Sequence, residues 1–273
     1  MKEELTSQQT VSYFGAQSTW GITKHMGGLS GTDFLVEKCQ IDKNSQVLVI
    51  GSGSGVPSCH IAQKSGCTLT GIDIEERMIK WASDRAKKCG LIERVAFKTA
   101  DVQALPFSDQ SFDAVISESV LAFVPDKDLA TREILRVLKP CGRLGINECV
   151  WHQPPPQYLL DFTRHSMGNV EFLSTSGWVE LCEENGFKIS FTESRYIKMW
   201  QQWRDEVQQL REGNEIKENW AAWKQFWGLL VKDKNFRAYA KQITPSFRVI
   251  GSLFRYLGYI LIIGQKPEQG IYG

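Results

Sequence analysis

The sequence contains no Cys-x-x-Cys pair, although it has seven cysteines. Cys39, Cys59, Cys67, Cys89, Cys141, Cys149 and Cys182 stand singly, and their number is odd. That pattern argues against a disulfide framework and against a zinc site, so no metal ligands are assigned. Buried, reduced thiols of a cytoplasmic protein are the expectation. An excess of either charge is also missing. Lys and Arg number 32 and Asp and Glu 31, a net charge of +1. No global basic field exists to hold a phosphate backbone, which disfavours nucleic acid as a partner. Long hydrophobic runs are absent too. The most apolar stretch, Tyr256 to Gly264, is about half the length needed to span a bilayer, and Arg248 and Arg255 interrupt the residues before it. Met1 to Thr10 is polar, with no apolar signal segment. No internal repeat or low-complexity tract is found. A soluble protein with no membrane span is expected.

What is present is enough apolar material for one large α/β domain: 273 residues, 42% of them hydrophobic. Short β-branched or apolar runs occur at Val47–Ile50, Thr68–Asp73, Val95–Thr99, Phe112–Ser117 and Arg143–Asn147. Helical periodicity lies between them, at Val56–Lys64, Glu75–Cys89 and Lys127–Leu138. In the second of these, Met78, Ile79, Ala82 and Ala86 form one apolar stripe. Strands alternating with helices of this length predict a Rossmann-like, doubly wound, mostly parallel sheet. Lys139-Pro140-Cys141-Gly142 marks a stop and turn before the fifth strand. Beyond Trp151, Pro154-Pro155-Pro156 predicts a stiff, extended exit. Ser176–Asn185 reads as a helix stopped by Gly186, Phe187–Ile197 as a sixth strand and Tyr259–Ile263 as the last. Residues 198–256 read as a helical insert between strands six and seven. This insert holds five of the nine tryptophans: Trp200, Trp203, Trp220, Trp223 and Trp227. They either dock the insert on the sheet or form an aromatic wall over a substrate.

The most informative stretch is Val47 to Gly55, an apolar run that breaks into Gly51-Ser52-Gly53-Ser54-Gly55. A buried parallel strand ending in glycines lets backbone approach a ligand closely, and the following helix points its N-terminal amides at the same place. Asp73, at the tip of the next strand, can accept hydrogen bonds from both hydroxyls of a ribose. A dinucleotide site needs Gly-x-Gly-x-x-Gly, whereas the third glycine here arrives one residue early, at Gly55. Asp101, after the third strand, can accept from an exocyclic amine such as that of adenine, with Val102 against the ring. Ser117 and Glu118 open onto the site across the topological switch.

These residues resemble the class I S-adenosylmethionine-dependent methyltransferases, in the small-molecule branch. The ubiquinone/menaquinone and phosphoethanolamine methyltransferase groups are similar. The resemblance runs from about Val47 to Glu148. It rests on the glycine loop, Gly71-Ile72-Asp73-Ile74, Ala100-Asp101-Val102, Ser111-Phe112-Asp113 and Leu138-Lys139-Pro140 in order. It implies a seven-stranded sheet with an antiparallel last strand, and S-adenosyl-L-methionine as cofactor with S-adenosyl-L-homocysteine as product. It also implies Gly51, Ser52, Gly53 and Gly55 at the methionine moiety, Asp73 on the ribose, and Asp101, Val102 and Ile74 at the adenine. Lys24 to Leu29 resembles the segment that closes over the cofactor in phosphoethanolamine methyltransferases. By that likeness His25 lies near the methionine tail, with an ordinary capping turn as the competing reading. Three departures stand out. Phe123 occupies the position of that subfamily's catalytic histidine. Val49 stands where an acidic residue usually organises the glycine loop, a task that could pass to Glu118. Cys141 replaces a turn glycine.

Residues 1–46 are thus expected to form a helical cap over the cofactor. Residues 47–197 and 257–273 form the core, and residues 198–256 a substrate lid. Methyl transfer from a sulfonium needs alignment and exclusion of water more than it needs a base. Weak candidates for a base are His152, His165 and Tyr13, with Tyr158 behind them. The acceptor expected is a small, partly apolar or aromatic molecule or an amine. A methyltransferase-like module that binds the cofactor or a partner without methylating is the alternative, and a nicotinamide-dependent oxidoreductase stands third.

Overall fold

The computed structural model describes residues 26–167, 170–197 and 247–268, with isolated positions between 227 and 237. Its centre is a seven-stranded sheet in the order β3-β2-β1-β4-β5-β7-β6. The strands are β1 (Gln46–Ile50), β2 (Thr68–Asp73), β3 (Val95–Thr99), β4 (Phe112–Glu118), β5 (Leu138–Trp151), β6 (Lys188–Tyr196) and β7 (Leu257–Gln265). β1 to β5 pair in parallel, and β7 runs antiparallel between β5 and β6. The expected architecture is therefore present, including the reversed last strand. Among the described residues the α-helices are α1 (Gly28–Lys38), α2 (Val56–Ser65), α3 (Glu76–Lys88), α4 (Lys127–Val137), α5 (Gln157–Met167), α6 (Thr175–Glu184) and α7 (Phe247–Tyr256).

β1 sits mid-sheet and explains the unbroken apolar run in the sequence. Val47, Leu48, Val49 and Ile50 are all buried, because helices cover both faces. Leu48 and Ile50 join Ile72, Val115, Ile134, Ile146 and Trp178 on the face covered by α4 and α6. Val47 and Val49 join Leu35, Ile61, Leu69, Ile116 and Leu261 on the face covered by α1 and α2. Each such side chain contributes roughly 1.5–3 kcal/mol through burial. Trp178, fully buried, also donates its indole N–H to the Cys149 carbonyl at 3.1 Å, satisfying its polar atom.

Two sequence motifs turn out to stabilise the sheet at the end away from the glycine loop. The Asp113 carboxylate accepts from the Gln46 backbone N–H at 2.8 Å and from Lys139 Nζ at 2.8 Å. It therefore ties the start of β1 to the first residues of β5, where the sequence had predicted a turn before the strand. Cys141, in the irregular first part of β5, adopts φ +61°, the left-handed region where a glycine would be free of steric penalty.

Several expectations need correction. Cys89 and Cys141 are exposed, so only five of the seven thiols are buried. α5 follows the proline triplet directly and was not foreseen as a helix. Its buried positions, Leu159, Thr163 and Ser166, keep helical spacing, but two of them are hydroxylic, which masks the apolar stripe. Most of the 198–256 insert, including Trp200, Trp203, Trp220 and Trp223, lies outside the described residues, as do Tyr13 and His25.

The early third glycine has a packing cause. Gly55 is the left-handed N-cap of α2, at φ +81°, and a Cβ there would lie 2.9 Å from Ala82 of α3. Gly55→Ala should therefore lower stability by about 2 kcal/mol, combining left-handed strain with overpacking. Urea denaturation checks this; a midpoint equal to the wild type's would show that the helices are not in such contact.

Candidate cofactor and acceptor cleft

The topological switch lies between β1 and β4, and a cleft of about 400 Å³ opens at the carboxyl ends of the strands there. Its walls include Gly51, Ser52, Gly53, Asp73, Ile74, Asp101, Val102 and Glu118. The structure thus brings together eight of the ten residues assigned to the cofactor. Gly55 stands behind them as the helix cap, and His25 is outside the described residues.

The glycine turn is tightly held. Gly51 takes φ +62° under the Val120 side chain, so closely that any Cβ would collide with it. Ser52 N–H donates to the Ile72 carbonyl at 2.8 Å, and Gly55 N–H to the Ser52 carbonyl at 2.9 Å. Arg85 Nε donates to the Ser54 carbonyl at 2.9 Å, linking α3 to the loop. Asp73 completes the arrangement. Its Oδ2 accepts from Gly53 N–H at 2.9 Å and its Oδ1 from Glu75 N–H at 3.0 Å. Burial raises its carboxyl above the ordinary value, partly offset by these backbone donors. Each oxygen keeps a further acceptor site.

Asp101 caps the short 3₁₀ turn Val102–Ala104, accepting from Gln103 N–H at 2.8 Å and from the Gln103 side-chain amide. Ile74 is 65% exposed at the rim, an apolar group standing in water beside the cleft.

Val49 and Glu118 share one face of the sheet, since Val49 is in register with Ile116. Val49 packs among apolar neighbours. The Glu118 carboxylate accepts from Thr32 Oγ1 at 2.9 and 3.2 Å and from Asn147 Nδ2 at 3.3 Å. Asn147 Nδ2 also donates to the Met26 carbonyl at 2.6 Å, and Met26 lines the cleft. These bonds stitch the start of α1 to the ends of β4 and β5.

The candidate bases do not meet at the cleft. His152 stacks on Tyr196 with centroids 4.0 Å apart and contacts the Arg195 carbonyl at 3.1 Å. His165 Nδ1 lies 2.6 Å from the Asp161 carbonyl on the exposed side of α5. The Tyr158 hydroxyl donates to Ser252 Oγ at 2.7 Å. None of the three is among the cleft's lining residues.

Glu148 was missed by sequence reasoning. It is fully buried on β5, on the sheet face opposite Glu118 and Asn147, and it lines the cleft. Its Oε1 accepts from Val120 N–H at 2.7 Å and Leu121 N–H at 2.6 Å, while Oε2 finds no partner among the described residues. Burial pushes its carboxyl up to about 7, opposed by those backbone donors and by the charge of Lys127. The available signal was an Asn147-Glu148 pair interrupting the apolar run from Leu144 to Trp151.

Comparison with known proteins places this geometry. A family model described as a methyltransferase domain matches residues 41–228. The 27-O-demethylrifamycin SV methyltransferase of Amycolatopsis mediterranei (strain S699) is 30% identical over 243 residues, covering 87% of this chain and 83% of that protein. The chain belongs to the class I S-adenosylmethionine-dependent methyltransferases. Methyltransferase GfsG of Streptomyces halstedii is 37% identical over 119 residues, 44% of this chain, which spans 43% of that relative's length. Among solved structures, the [4+2]-cyclase SpnF superposes with a TM-score of 0.67 at 26% identity, covering 87% of this chain and 80% of that one.

Glu148 gives this methyltransferase a distinctive pH signature. Its carboxyl titrates near 7 when folded and near the ordinary 4.5 when unfolded. The folded chain therefore binds the extra proton between these values, and the stability gained below 4.5 is lost as pH rises through 7. Glu148→Gln, which keeps the acceptor for Val120 and Leu121, should flatten that decline by an amount on the order of 2 kcal/mol. Chemical denaturation of both proteins at pH 5 and pH 8 measures it; parallel curves would show that Glu148 titrates normally.

Proposed function

We propose that this methyltransferase transfers the methyl group of S-adenosylmethionine to a small, partly apolar acceptor by in-line displacement. One observation carries the reading: the glycine turn and Asp73 open onto the same cleft as the apolar Ala122, Phe123, Met167 and Phe172. A cofactor end and an acceptor end are thereby continuous. The residues present fit the cofactor. Gly51 leaves no room for a side chain, Asp73 retains acceptor sites for ribose hydroxyls, and Ile74 offers an exposed apolar face for a purine. Asp101 and Val102 would take the other side of the adenine. Glu118 supplies the negative charge for the cofactor's amino group that Val49 cannot. When bound, the cofactor supplies an electrophilic methyl on a positively charged sulfur. The protein's share is then to align the acceptor and exclude water, which apolar walls do well.

A second reading is a module that binds the cofactor or a partner without methylating. The likeness to a protein named as a [4+2]-cyclase favours it, because a cycloaddition consumes no methyl group. Incubation with methyl-labelled cofactor and candidate acceptors separates the two, since only the first reading yields labelled product and S-adenosylhomocysteine.

Isothermal titration tests the cofactor assignment directly. Asp73→Ala should weaken S-adenosylhomocysteine binding at least tenfold, about 1.4 kcal/mol or more. Unchanged affinity would remove Asp73 from the site, and a wild-type chain that binds neither cofactor nor product would sink the whole reading.

A further inference from the structure

The cleft's acceptor end is walled by Ala122, Phe123, Met167 and Phe172, with the buried carboxyl of Glu148 among them. Half of that carboxyl is committed. Oε1 receives two backbone N–H groups from the turn after β4, which locks the side chain in one orientation. Oε2 is buried and unpaired among the described residues. A buried acceptor without a donor is costly, and polar atoms left in this state mark places where a partner arrives. The neighbouring charges do not fill the vacancy. Lys127, on α4, gives its Nζ to the Val124 carbonyl at 3.1 Å and to Glu171 at 3.7 Å. Cys149, next along β5, is a buried thiol whose ionisation burial suppresses.

Resting on the methyltransferase reading, we propose that Glu148 Oε2 receives the hydroxyl group of the acceptor and takes its proton, making this an oxygen-methylating site. Glu148 accepts the hydroxyl proton while the acceptor oxygen bonds to the methyl carbon and the carbon–sulfur bond breaks. The carboxylate becomes a neutral acid and the sulfonium a neutral thioether, so charge balances. One unpaired oxygen in apolar surroundings matches a neutral group bearing a single donor. An ammonium would bring three donors and a full charge into the same place.

The test, run at about pH 8.5 so that Glu148 is an acceptor, uses the chain saturated with S-adenosylhomocysteine and small fluorinated probes followed by fluorine NMR. 4-Fluorophenol should bind at least fivefold more tightly than 4-fluoroanisole, which has the same ring and oxygen but no donor. In Glu148→Gln the amide that replaces Oε2 is a donor to either probe, so this advantage should shrink to about equality while S-adenosylhomocysteine affinity is kept. Four results would overturn the proposal: equal affinity of the wild type for both probes, uptake of neither, an undiminished advantage in Glu148→Gln, or tighter uptake of 4-fluorobenzylamine than of the phenol. If the variant does not fold, the wild-type comparison decides alone. Failure to bind S-adenosylhomocysteine counts against the methyltransferase reading, and the probes are then compared on the free chain.

Discussion

Everything at this site depends on a lack of space at the end of β1. The strand stops under Val120, the turn folds back against α3, and two positions, Gly51 and Gly55, have no volume for a Cβ. Because the backbone itself forms the wall, its N–H groups and peptide planes become the surface that a ligand meets. A side chain at Gly51 would displace the β4 turn, and one at Gly55 would push α3 away from α2. The cleft is therefore the by-product of a packing solution, and the neighbouring apolar cores on both sheet faces hold it in place.

Two buried carboxyl groups on neighbouring strands divide the work there. Glu118 faces α1, and its carboxyl is occupied by the donors Thr32 and Asn147. Glu148 faces the opposite side, with half its capacity unused and its ionisation held back by burial. Two carboxyl groups on neighbouring strands, one fully paired and one half-paired, are thus set on opposite faces of the sheet by alternation alone.

Much of this was legible in the chain. The alternation of strands and helices followed from periodicity, and the glycine-loop end of the cleft from Gly51, Gly53, Asp73, Asp101 and Val102, because backbone conformation and strand ends are local properties. The end of the cleft at Glu148 was not. Glu148 looks like an unremarkable residue in β5 until Val120 and Leu121, 28 and 27 residues earlier, are folded against it. His152 and His165 drew notice because their side chains are reactive types, yet their surroundings are a tyrosine ring and a helix carbonyl. α5 escaped because Thr163 and Ser166 bury hydroxyls by donating them to their own helix.

The bonds from Asp73 to Gly53 and Glu75 have a kinetic meaning as well. They hold the loop in its curved form through the protein's own amides, so little conformational entropy remains to be lost when a ligand settles. A rigid receptor of this kind admits cofactor without a slow rearrangement.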